Sequence, residues 1–443
     1  MRVAIAGYGV EGQSSYKYFV AKGDDVTIVT NKVSPQYPLP DGAQAIVEDD
    51  AFDRLEDFDM VVRTPPMRPD SIHTNGKVWS ATNEFFAMCP VPIIGVTGTK
   101  GKGTTCSLIE SILRAAGHTV HLVGNIGTPA LDVLPQIKEG DFVVYELSSF
   151  QLWDIEKSPH VAVVLMIEPD HLDVHKDFDE YLEAKSNIRR FQWMDDECLY
   201  HPTNQYSHQI AATPLVHAPV LETEEYGGSI TFAQRYATSD DDQVYVRDGF
   251  FCVQDRQICS IDNLQLPGAH NLENACAAMS VITELWLDVT DEEYAKGLQS
   301  FTGLPHRLKF VRETEGVKYY DDSIATTPGS AIAALRAFNE PKVIILGGSD
   351  KGAAYQEIVD VCSQTGTRVV AIGQTGERIA ELCRQHEVEA VRETGGMSDV
   401  VAAARREAKP GEVVILSPAS ASFDQYKSYS DRGDQYVAAV EEL

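Results

Sequence analysis

A glycine-rich stretch carries the residue types that bind phosphate, and it reads Gly98, Thr99, Lys100, Gly101, Lys102, Gly103, Thr104 and Thr105. Glycines let the backbone approach phosphate oxygens closely. Lys102 would neutralise charge on the outer phosphates, and Thr104 would offer a hydroxyl to Mg²⁺. The match to the usual phosphate-loop pattern is incomplete, because Val96 stands where that pattern has glycine and Gly103 where it has a hydroxyl. A glycine turn without a ligand is therefore the alternative.

The segments on either side of this stretch predict a strand and a helix that would position it. Residues 91–96 form an apolar run typical of a buried strand, and apolar residues recur at helical spacing between residues 106 and 116. A strand, a glycine turn and a helix direct backbone N–H groups and a helix N-terminus at one point, which favours an anion.

Acidic and histidine side chains follow two further predicted strands. The apolar strand at residues 142–145 ends at Glu146, and the strand at residues 161–167 leads into Asp170 and His171. In a parallel sheet both strand ends lie on the edge where the phosphate loop lies, and ligands bind there. We therefore expect Glu146 and His171 to bind Mg²⁺ or to take part in catalysis. For Asp170 and His171 taken alone, an ordinary polar loop is the alternative.

The first residues of the chain predict a nucleotide-binding turn of the Rossmann type. Gly7, Gly9 and Gly12 follow a strand at residues 3–6 and precede a helix at residues 14–21. Dinucleotide sites usually have an acid after the second strand, but this chain has Asn31 and Lys32 there. That difference argues against a nicotinamide dehydrogenase and favours binding of a nucleotide that bears phosphate. A purely structural turn is the alternative.

Beyond residue 304 strands and helices alternate, which predicts a second doubly wound parallel sheet. Polar clusters follow three of its strands, at residues 321–323, 347–351 and 417–422. Three polar strand ends on one edge suggest a substrate site.

Several other segments carry weaker expectations. Residues 79–88 and 129–137 predict helices, and residues 178–191 predict an amphipathic helix on which Lys185 would lie on a solvated face. Residues 203–262 lack clear periodicity, with a short strand at 243–246. The polar residues at the start of a helix near residue 270, which we expect to cap it, are His270, Asn271 and Asn274.

Composition excludes several classes of partner. The chain has 443 residues and a formal net charge of −29, which would repel nucleic acid and anionic membranes. Its eight cysteines form no C-x-x-C pair, so neither a zinc site nor a disulfide framework is indicated. We expect a cytoplasmic protein with no membrane-spanning segment.

The motifs, in this order, resemble the Mur ligase family, whose members form amide bonds at the expense of ATP in peptidoglycan synthesis. The matching stretches are residues 97–102, 124–127, 146–152, 170–173, 270–275 and 304–307. The resemblance implies an α/β protein of three domains: a Rossmann-like domain at 1–90 that binds the UDP end of a substrate, a central P-loop ATPase-like domain with a parallel sheet at 91–303, and a Rossmann-like α/β domain at 304–443 that contacts glutamate and ATP.

The resemblance also implies roles for individual residues. Residues 98–104 would bind ATP, and the metal ligands would be Thr104, Glu146, His171 and Lys185, the last as a carbamate. Lys102 would be catalytic together with Glu146, His171 and Lys185. Three residues would hold the adenosine and phosphate end of ATP, namely Asn271, Arg307 and Asp322. The substrate-binding residues would be Gly9, Val10, Asn31, Lys32, Thr64 and Asn125, with Thr326, Lys351, Ser422 and Tyr429 around the incoming glutamate.

Within the family, residues 146–152, 321–323 and 416–426 resemble the branch that adds glutamate to UDP-N-acetylmuramoyl-L-alanine through an acyl phosphate. The implied cofactors are ATP, two Mg²⁺ ions and the Lys185 carbamate, and the implied state is a monomer. Ligases of the folylpolyglutamate-synthase type, and a phosphate-loop switch that binds partners, are the alternatives.

The chain departs from the pattern of that branch at four positions, which are Thr30, Pro66, Gly103 and Ile324. Ile324 replaces a lysine near the expected glutamate. Since some enzymes of this branch join L-glutamate, the lost cation leaves D-glutamate and L-glutamate as alternatives, with D-glutamate preferred.

Overall fold

The computed structural model describes residues 1–217, 233–235, 243–253 and 255–443, with only the backbone described for 233–235. The chain divides into two units, and the first contains Met1–Leu264 and Leu272–Ser300. The second contains Gln265–Asn271 and Phe301–Leu443.

The first sheet of unit 1 is entirely parallel, with the strand order β3-β2-β1-β4-β5. Its elements are β1 (Arg2–Ala6), α1 (Val10–Ala21), β2 (Asp25–Thr30), β3 (Gln44–Val47), β4 (Met60–Arg63), β5 (Lys77–Ser80) and α2 (Ala81–Met88). The predicted helix at 79–88 is wrong at its start, because Ser80 ends β5 and caps α2 by accepting a hydrogen bond from the Asn83 N–H.

The second sheet of unit 1 has the strand order β11-β10-β9-β6-β8-β7. Its elements are β6 (Ile93–Thr97), α3 (Lys102–Ala115), β7 (Val120–Gly124), α4 (Ala130–Val133), β8 (Phe142–Glu146), α5 (Ser149–Leu152), β9 (Val161–Val164), α6 (Phe178–Arg190), β10 (Glu197–Tyr200), α7 (Gln205–Ala211) and β11 (Ala233–Arg235). All five residues of β6 are buried, since helices cover both faces of a parallel sheet.

Two sequence expectations fail in this part of the chain. The helix predicted at 129–137 ends at Val133 and continues as a 3₁₀ turn, because Pro135 has no N–H to donate. Lys185 is 1% exposed and lies in the core, where the residue pattern predicted a solvated face.

A small antiparallel sheet and two helices complete unit 1. They are β12 (Val244–Arg247), β13 (Phe250–Val253), β14 (Arg256–Ser260), α8 (Ala269–Glu284) and α9 (Asp291–Ser300), and the boundary between the units lies within α8. The expected strand at 243–246 is confirmed as β12, while the rest of that aperiodic region partly falls outside the described residues.

Unit 2 is built on a sheet with the order β15-β16-β20-β17-β18-β19, in which only the β15–β16 pair is antiparallel. Its elements are β15 (Lys309–Thr314), β16 (Val317–Asp321), α10 (Pro328–Arg336), β17 (Lys342–Gly347), α11 (Gln356–Thr365), β18 (Arg368–Ile372), α12 (Gly376–Gln385), β19 (Ala390–Arg392), α13 (Met397–Glu407), β20 (Val413–Leu416) and α14 (Tyr429–Glu441). The prediction of a mixed α/β fold with parallel sheets is confirmed.

Candidate active site

The phosphate loop joins β6 to α3. Atoms of neighbouring residues lie so close to Gly98 and Gly101 that they leave no room for a side chain at either position. Gly101 is the N-cap residue of α3 with φ +86°, and a Cβ there would lie 2.5 Å from the Asn274 Oδ1. A Cβ on Gly98 would lie 2.7 Å from the Leu165 Cβ. The loop therefore has a fixed shape, with the N-terminus of α3 at its end.

Two lysine amines converge on this loop. The Lys102 Nζ donates to the carbonyl oxygens of Gly98 and Thr99, each at 3.0 Å. The Lys185 Nζ donates to the same Gly98 oxygen at 3.0 Å and to the Thr97 Oγ1 at 3.1 Å. Burial, together with the positive charge of Lys102, lowers the pKa of Lys185 well below its usual value. The structure thus brings two predicted site residues to one loop oxygen.

The remaining predicted residues of the loop differ in exposure. Gly103 and Thr104 are buried at the start of α3, whereas Lys100 is exposed and has its Nζ 3.5 Å from the Glu168 Oε2. Thr99 is anchored by its hydroxyl, which lies 3.0 Å from the Tyr181 hydroxyl and donates to the Glu168 carbonyl at 2.9 Å.

The strand order places the predicted metal ligands beside the loop. β6 lies between β8 and β9 in one parallel sheet, so Glu146 and the segment after β9 flank the loop at the carboxyl edge. Glu146 is 3% exposed, and its Oε1 accepts a hydrogen bond from the Asn125 Nδ2 at 3.0 Å. Its Oε2 is buried and has no hydrogen-bond partner among the described residues. This oxygen is available to a ligand.

His171 is half-exposed and is held in a defined orientation. Its backbone has φ +54°, its N–H donates to the Asp170 Oδ1 at 2.9 Å, and its ring lies 4.9 Å from the ring of Phe150, centroid to centroid. Phe150 belongs to α5, whose start is fixed by reciprocal hydrogen bonds between Ser148 and Gln151. His171 thus contacts the helix that follows Glu146.

Sequence reasoning missed three residues of this region. Asn274 was expected to cap a helix, but it lies inside α8 and accepts a hydrogen bond from the Thr105 hydroxyl at 3.3 Å. Tyr181 lies under the Lys185 amine, with 4.8 Å between Nζ and the ring centroid. His175 is buried between Phe150 and Trp153 and pairs with the Ser149 hydroxyl at 3.0 Å. Tyr181 and Lys185 are neighbours on successive turns of α6, but the contacts of Asn274 and His175 join distant segments, and no local pattern indicated them.

The first sheet brings together the residues predicted to bind the UDP end of a substrate. Gly9 and Val10 follow β1, Asn31 and Lys32 follow β2, and Thr64 follows β4, and these three strands are neighbours. Thr64 packs on the glycine turn, since a Cβ on Gly7 would lie 2.3 Å from the Thr64 Oγ1.

In unit 2 the three polar strand ends adjoin, as predicted, because β20 lies between β16 and β17. Asp322 accepts hydrogen bonds from the Ser417 hydroxyl at 2.6 Å and the Leu308 N–H at 3.1 Å. Burial raises its pKa to about 7, against the smaller opposing effects of these hydrogen bonds and the Arg307 charge. Arg307 is exposed, and the Asn271 Nδ2 donates to the Pro267 carbonyl at 2.7 Å.

The residues predicted around glutamate also lie in unit 2. Ser422 is buried, while Thr326, Lys351 and Tyr429 are exposed. A cavity of about 450 Å³ adjoins the Ser422 segment at the carboxyl edge of the sheet, and its lining consists of Gly373, Gln374, Arg392, Thr394, Asp424 and Gln425.

Two further features concern metal ligands and membrane-spanning helices. In the part of the chain that the structure describes, no three His, Cys, Asp or Glu side chains converge as a ready-made metal site. No helix among these residues is both long and apolar enough to cross a membrane.

Comparison with known proteins identifies the family. Residues 96–282 match the Mur ligase middle domain, and residues 306–420 match the Mur ligase glutamate ligase domain. The UDP-N-acetylmuramoylalanine--D-glutamate ligase of Acetivibrio thermocellus is 34% identical over 463 aligned positions, covering 100% of this chain and 96% of that protein. The enzyme of the same name from Symbiobacterium thermophilum is 34% identical over 459 positions, and the match covers 100% of this chain and 98% of that protein.

The chain belongs to the Mur ligase family. It is therefore an ATP-dependent, amide-forming ligase.

Solved structures of two Mur ligases and of FolC share the fold. The UDP-N-acetylmuramate-alanine ligase MurC from Thermotoga maritima superposes with a TM-score of 0.62 at 16% identity, covering 100% of this chain and 99% of that one. MurF from the same organism, in complex with ADP, superposes with a TM-score of 0.57 at 16% identity. The match covers 99% of this chain and 94% of the MurF chain. E. coli FolC in complex with DHPP and ADP superposes with a TM-score of 0.56 at 18% identity, and the match covers 82% of this chain and 92% of the FolC chain.

Proposed function

We propose that this Mur ligase joins D-glutamate to UDP-N-acetylmuramoyl-L-alanine. The full-length likeness to relatives named for that reaction carries the proposal. The residues at the carboxyl edges of the sheets have the chemistry that the reaction requires, and the limits 1–90, 91–303 and 304–443 remain our proposed domains.

In the proposed reaction a substrate carboxylate attacks the γ-phosphorus of ATP and displaces ADP, which leaves an acyl phosphate. The glutamate amine then attacks the acyl carbon, loses a proton and expels phosphate. Lys102 offsets the negative charge that spreads over the phosphate oxygens, and the amides at the N-terminus of α3 add to that effect. Residues 98–104 with Asn271, Arg307 and Asp322 would hold ATP.

Thr104, Glu146 and a carbamate on Lys185 offer the oxygen ligands that Mg²⁺ prefers, whereas His171 offers an imidazole nitrogen, and Mg²⁺ also keeps several water molecules. The buried Glu146 Oε2 has no hydrogen-bond partner among the described residues, so it is free for a cation. Thr104, Glu146, His171 and a carbamate on Lys185 would hold two Mg²⁺ ions, together with phosphate oxygens and water. Bound Mg²⁺ supplies charge stabilisation to the transferring phosphoryl group.

The environment of Lys185 suits carbamylation. Its amine is buried beside Lys102, and its pKa is lowered, which favours the neutral amine that reacts with CO₂. The neutral amine and CO₂ form an N–C bond with release of one proton, so a buried neutral amine becomes an anion that fits a metal.

The substrate-binding proposal follows the sheet edges. Gly9, Val10, Asn31, Lys32 and Thr64 would contact the UDP end, and Asn125 would contact the muramoyl part while holding Glu146 by its amide. Around glutamate we propose Thr326, Lys351, Ser422 and Tyr429. We further propose that the enzyme acts in the cytoplasm, where ATP and nucleotide sugars are made, and that it acts as a monomer.

The decisive experiment measures phosphate release from ATP with UDP-N-acetylmuramoyl-L-alanine and D-glutamate added separately and together. Release should require both. Rapid ATP turnover with neither present would contradict the ligase proposal.

The amino-acid preference needs its own measurement, because Ile324 adds an apolar side chain where relatives of this branch have a lysine. Initial rates with D-glutamate and L-glutamate at matched concentration should favour the D enantiomer, since specificity reflects the whole pocket. A clear preference for L-glutamate would overturn the assignment of D-glutamate as the substrate and leave the ligase proposal intact.

A further inference from the structure

Arg63, at the end of β4, has a buried guanidinium that bonds to several segments of unit 1. Its side chain is fully buried and pairs with both carboxylate oxygens of Asp154, at 2.8 Å from Nε and 2.5 Å from Nη2. Nη2 also donates to the Phe150 carbonyl at 2.9 Å, and Nη1 donates to the carbonyls of Pro65 and Met67 at 3.3 and 3.2 Å. All five N–H groups of the side chain are therefore used.

The contacts of Arg63 join three segments of the chain. Pro65 and Met67 lie in a turn after β4 that is closed by a hydrogen bond from the Met67 N–H to the Thr64 carbonyl at 3.0 Å. Phe150 lies in α5, and Asp154 follows that helix. Arg63 thus fastens the turn at Thr64–Met67 to the segment that follows Glu146.

Arg68 makes a second attachment on the other side of the same turn. Its Nη1 and Nη2 donate to the two carboxylate oxygens of Glu180 at 2.9 and 2.8 Å, and Nη1 donates to the Val174 carbonyl at 2.9 Å. Its guanidinium lies 4.8 Å from the ring centroid of Trp153, and it also pairs with Asp70. The side chain is only 22% exposed, so these contacts are partly shielded from water.

The partners of Arg68 belong to the segments that carry the other predicted metal ligands. Val174 follows His171 in the same loop, and its N–H donates to the His171 carbonyl at 3.1 Å. Glu180 lies in α6, the helix that carries Lys185. The two arginines therefore hold one strand-end turn against the segments of Glu146, His171 and Lys185.

We propose that Arg63 and Arg68 are positioning residues that fix the turn at Thr64–Met67 for the nucleotide-sugar substrate. The inference rests on the proposed function, in which Thr64 contacts the UDP end of that substrate. Neither arginine needs to touch a substrate to act. A planar guanidinium holds several acceptors in one geometry, which a flexible ammonium does not reproduce.

Arg68→Met is the first test, because this side chain is near the surface and the substitution keeps most of the apolar contact with Trp153. We expect the KM for UDP-N-acetylmuramoyl-L-alanine to rise about tenfold, since a misplaced binding segment weakens one substrate only. The KM values for ATP and glutamate should stay within about twofold. Arg68→Lys should recover part of the loss.

The matched control is Arg54→Met in the same sheet region. Arg54 is 51% exposed and pairs with Glu48 at 2.6 Å, outside the turn. Its substitution should leave all three KM values unchanged. Thermal unfolding of each variant shows whether the fold survives.

If Arg68→Met does not fold, a second pair of variants tests the same contacts. Glu180→Gln removes the carboxylate partner of Arg68, and Arg63→Lys keeps a charge for Asp154 while giving up the other contacts. Both should raise the KM for the nucleotide sugar selectively.

Unchanged KM values in folded variants, or equal losses for all three substrates, would overturn the inference. A wild-type enzyme that releases phosphate without the nucleotide sugar would instead overturn the proposed function, so the two failures are distinguishable.

Discussion

At the scale of single residues, Glu146 has one carboxylate oxygen bound to Asn125 and the other free of protein partners in the described structure. We expect Glu146→Gln to reduce phosphate release on the order of a hundredfold or more, because it removes the charge that would hold Mg²⁺. Lys102→Ala and His171→Ala should cause similar losses. Glu48→Gln, an exposed substitution of the same type, is the control. Near-normal activity of Glu146→Gln with an unchanged Mg²⁺ requirement would show that the assigned role is wrong.

Lys185 is a buried amine whose expected modification has a specific test. Lys185→Ala should lose most activity, and short carboxylic acids should restore part of it by occupying the place of the carbamate. Lys138→Ala changes an exposed lysine and should have no effect. Mass spectrometry and a density map with substrates bound would check the carbamate directly. A bare amine far from any metal would count against it.

Asp322 links stability to pH in a definite direction. Burial is the main cause that raises its pKa in the folded state to about 7 from the ordinary value of 3.8. Between these values the folded state holds a proton that the unfolded state has released. The contribution of Asp322 to the free energy of unfolding therefore falls as pH rises from about 4 to about 7.

The Asp322→Asn variant should lack this contribution. Urea unfolding at several pH values should show that the wild type loses stability relative to Asp322→Asn as pH rises through this window. Asp255→Asn, at a side chain that is 96% exposed, should follow the wild type. Parallel pH curves for wild type and Asp322→Asn would exclude the raised pKa.

At the scale of elements, the start of α3 depends on one glycine with a close neighbour. Gly101 has φ +86°, and a Cβ there would lie 2.5 Å from the Asn274 Oδ1. Gly117, just after the same helix, has φ +87° and no atom within 4 Å of its Cβ position. The pair separates backbone strain from damage to the phosphate loop.

Both Gly101→Ala and Gly117→Ala should destabilise the fold by about 1–2 kcal/mol, the usual cost of a left-handed residue with a side chain. Only Gly101→Ala should also weaken ATP binding, because its Cβ must displace Asn274 or move the loop. Calorimetric titration with an ATP analogue, alongside thermal unfolding, checks both effects. Equal ATP affinity in the two variants would show that the Asn274 contact does not shape the loop.

At the scale of the whole molecule, unit 2 has the contents of an independent folding unit. Its sheet separates two apolar clusters, one around Val343, Ile345 and Leu416 and the other around Ile344, Leu346 and Ile358. α14 closes the first cluster with Tyr436 and Val440. Arg432 on the same helix is fully buried and bonds the Ser323 and Ser420 loops, and burial lowers its pKa to about 10.

We therefore expect residues 301–443, which contain all of unit 2 except Gln265–Asn271, to fold when expressed alone. The fragment should show a single cooperative transition in thermal or urea unfolding. A shorter fragment, 301–427, lacks α14 and should lose the transition, because the apolar cluster and the Ser323 and Ser420 loops would be open to water. A cooperative transition in the shorter fragment, or none in the longer one, would contradict this account.

The sequence by itself determined the features that depend on neighbouring residues. Apolar runs and glycine spacing predicted β6, the phosphate loop and α3, and strand ends placed Glu146 and His171 at one sheet edge. The order of motifs indicated the Mur ligase family, which the comparisons confirm. These signals are local because strand and helix periodicity, turn chemistry and motif spacing extend over only a few residues.

Only the tertiary structure decided which distant side chains meet. Lys185 is buried and its amine donates a hydrogen bond to Thr97, 88 residues away, whereas its own helix pattern favoured a solvated face. Asn274 reaches Thr105 across 169 positions, and Arg63 reaches Asp154 across 91. Such contacts depend on how sheets and helices pack, and burial then sets both the pKa of Lys185 and the value of each hydrogen bond.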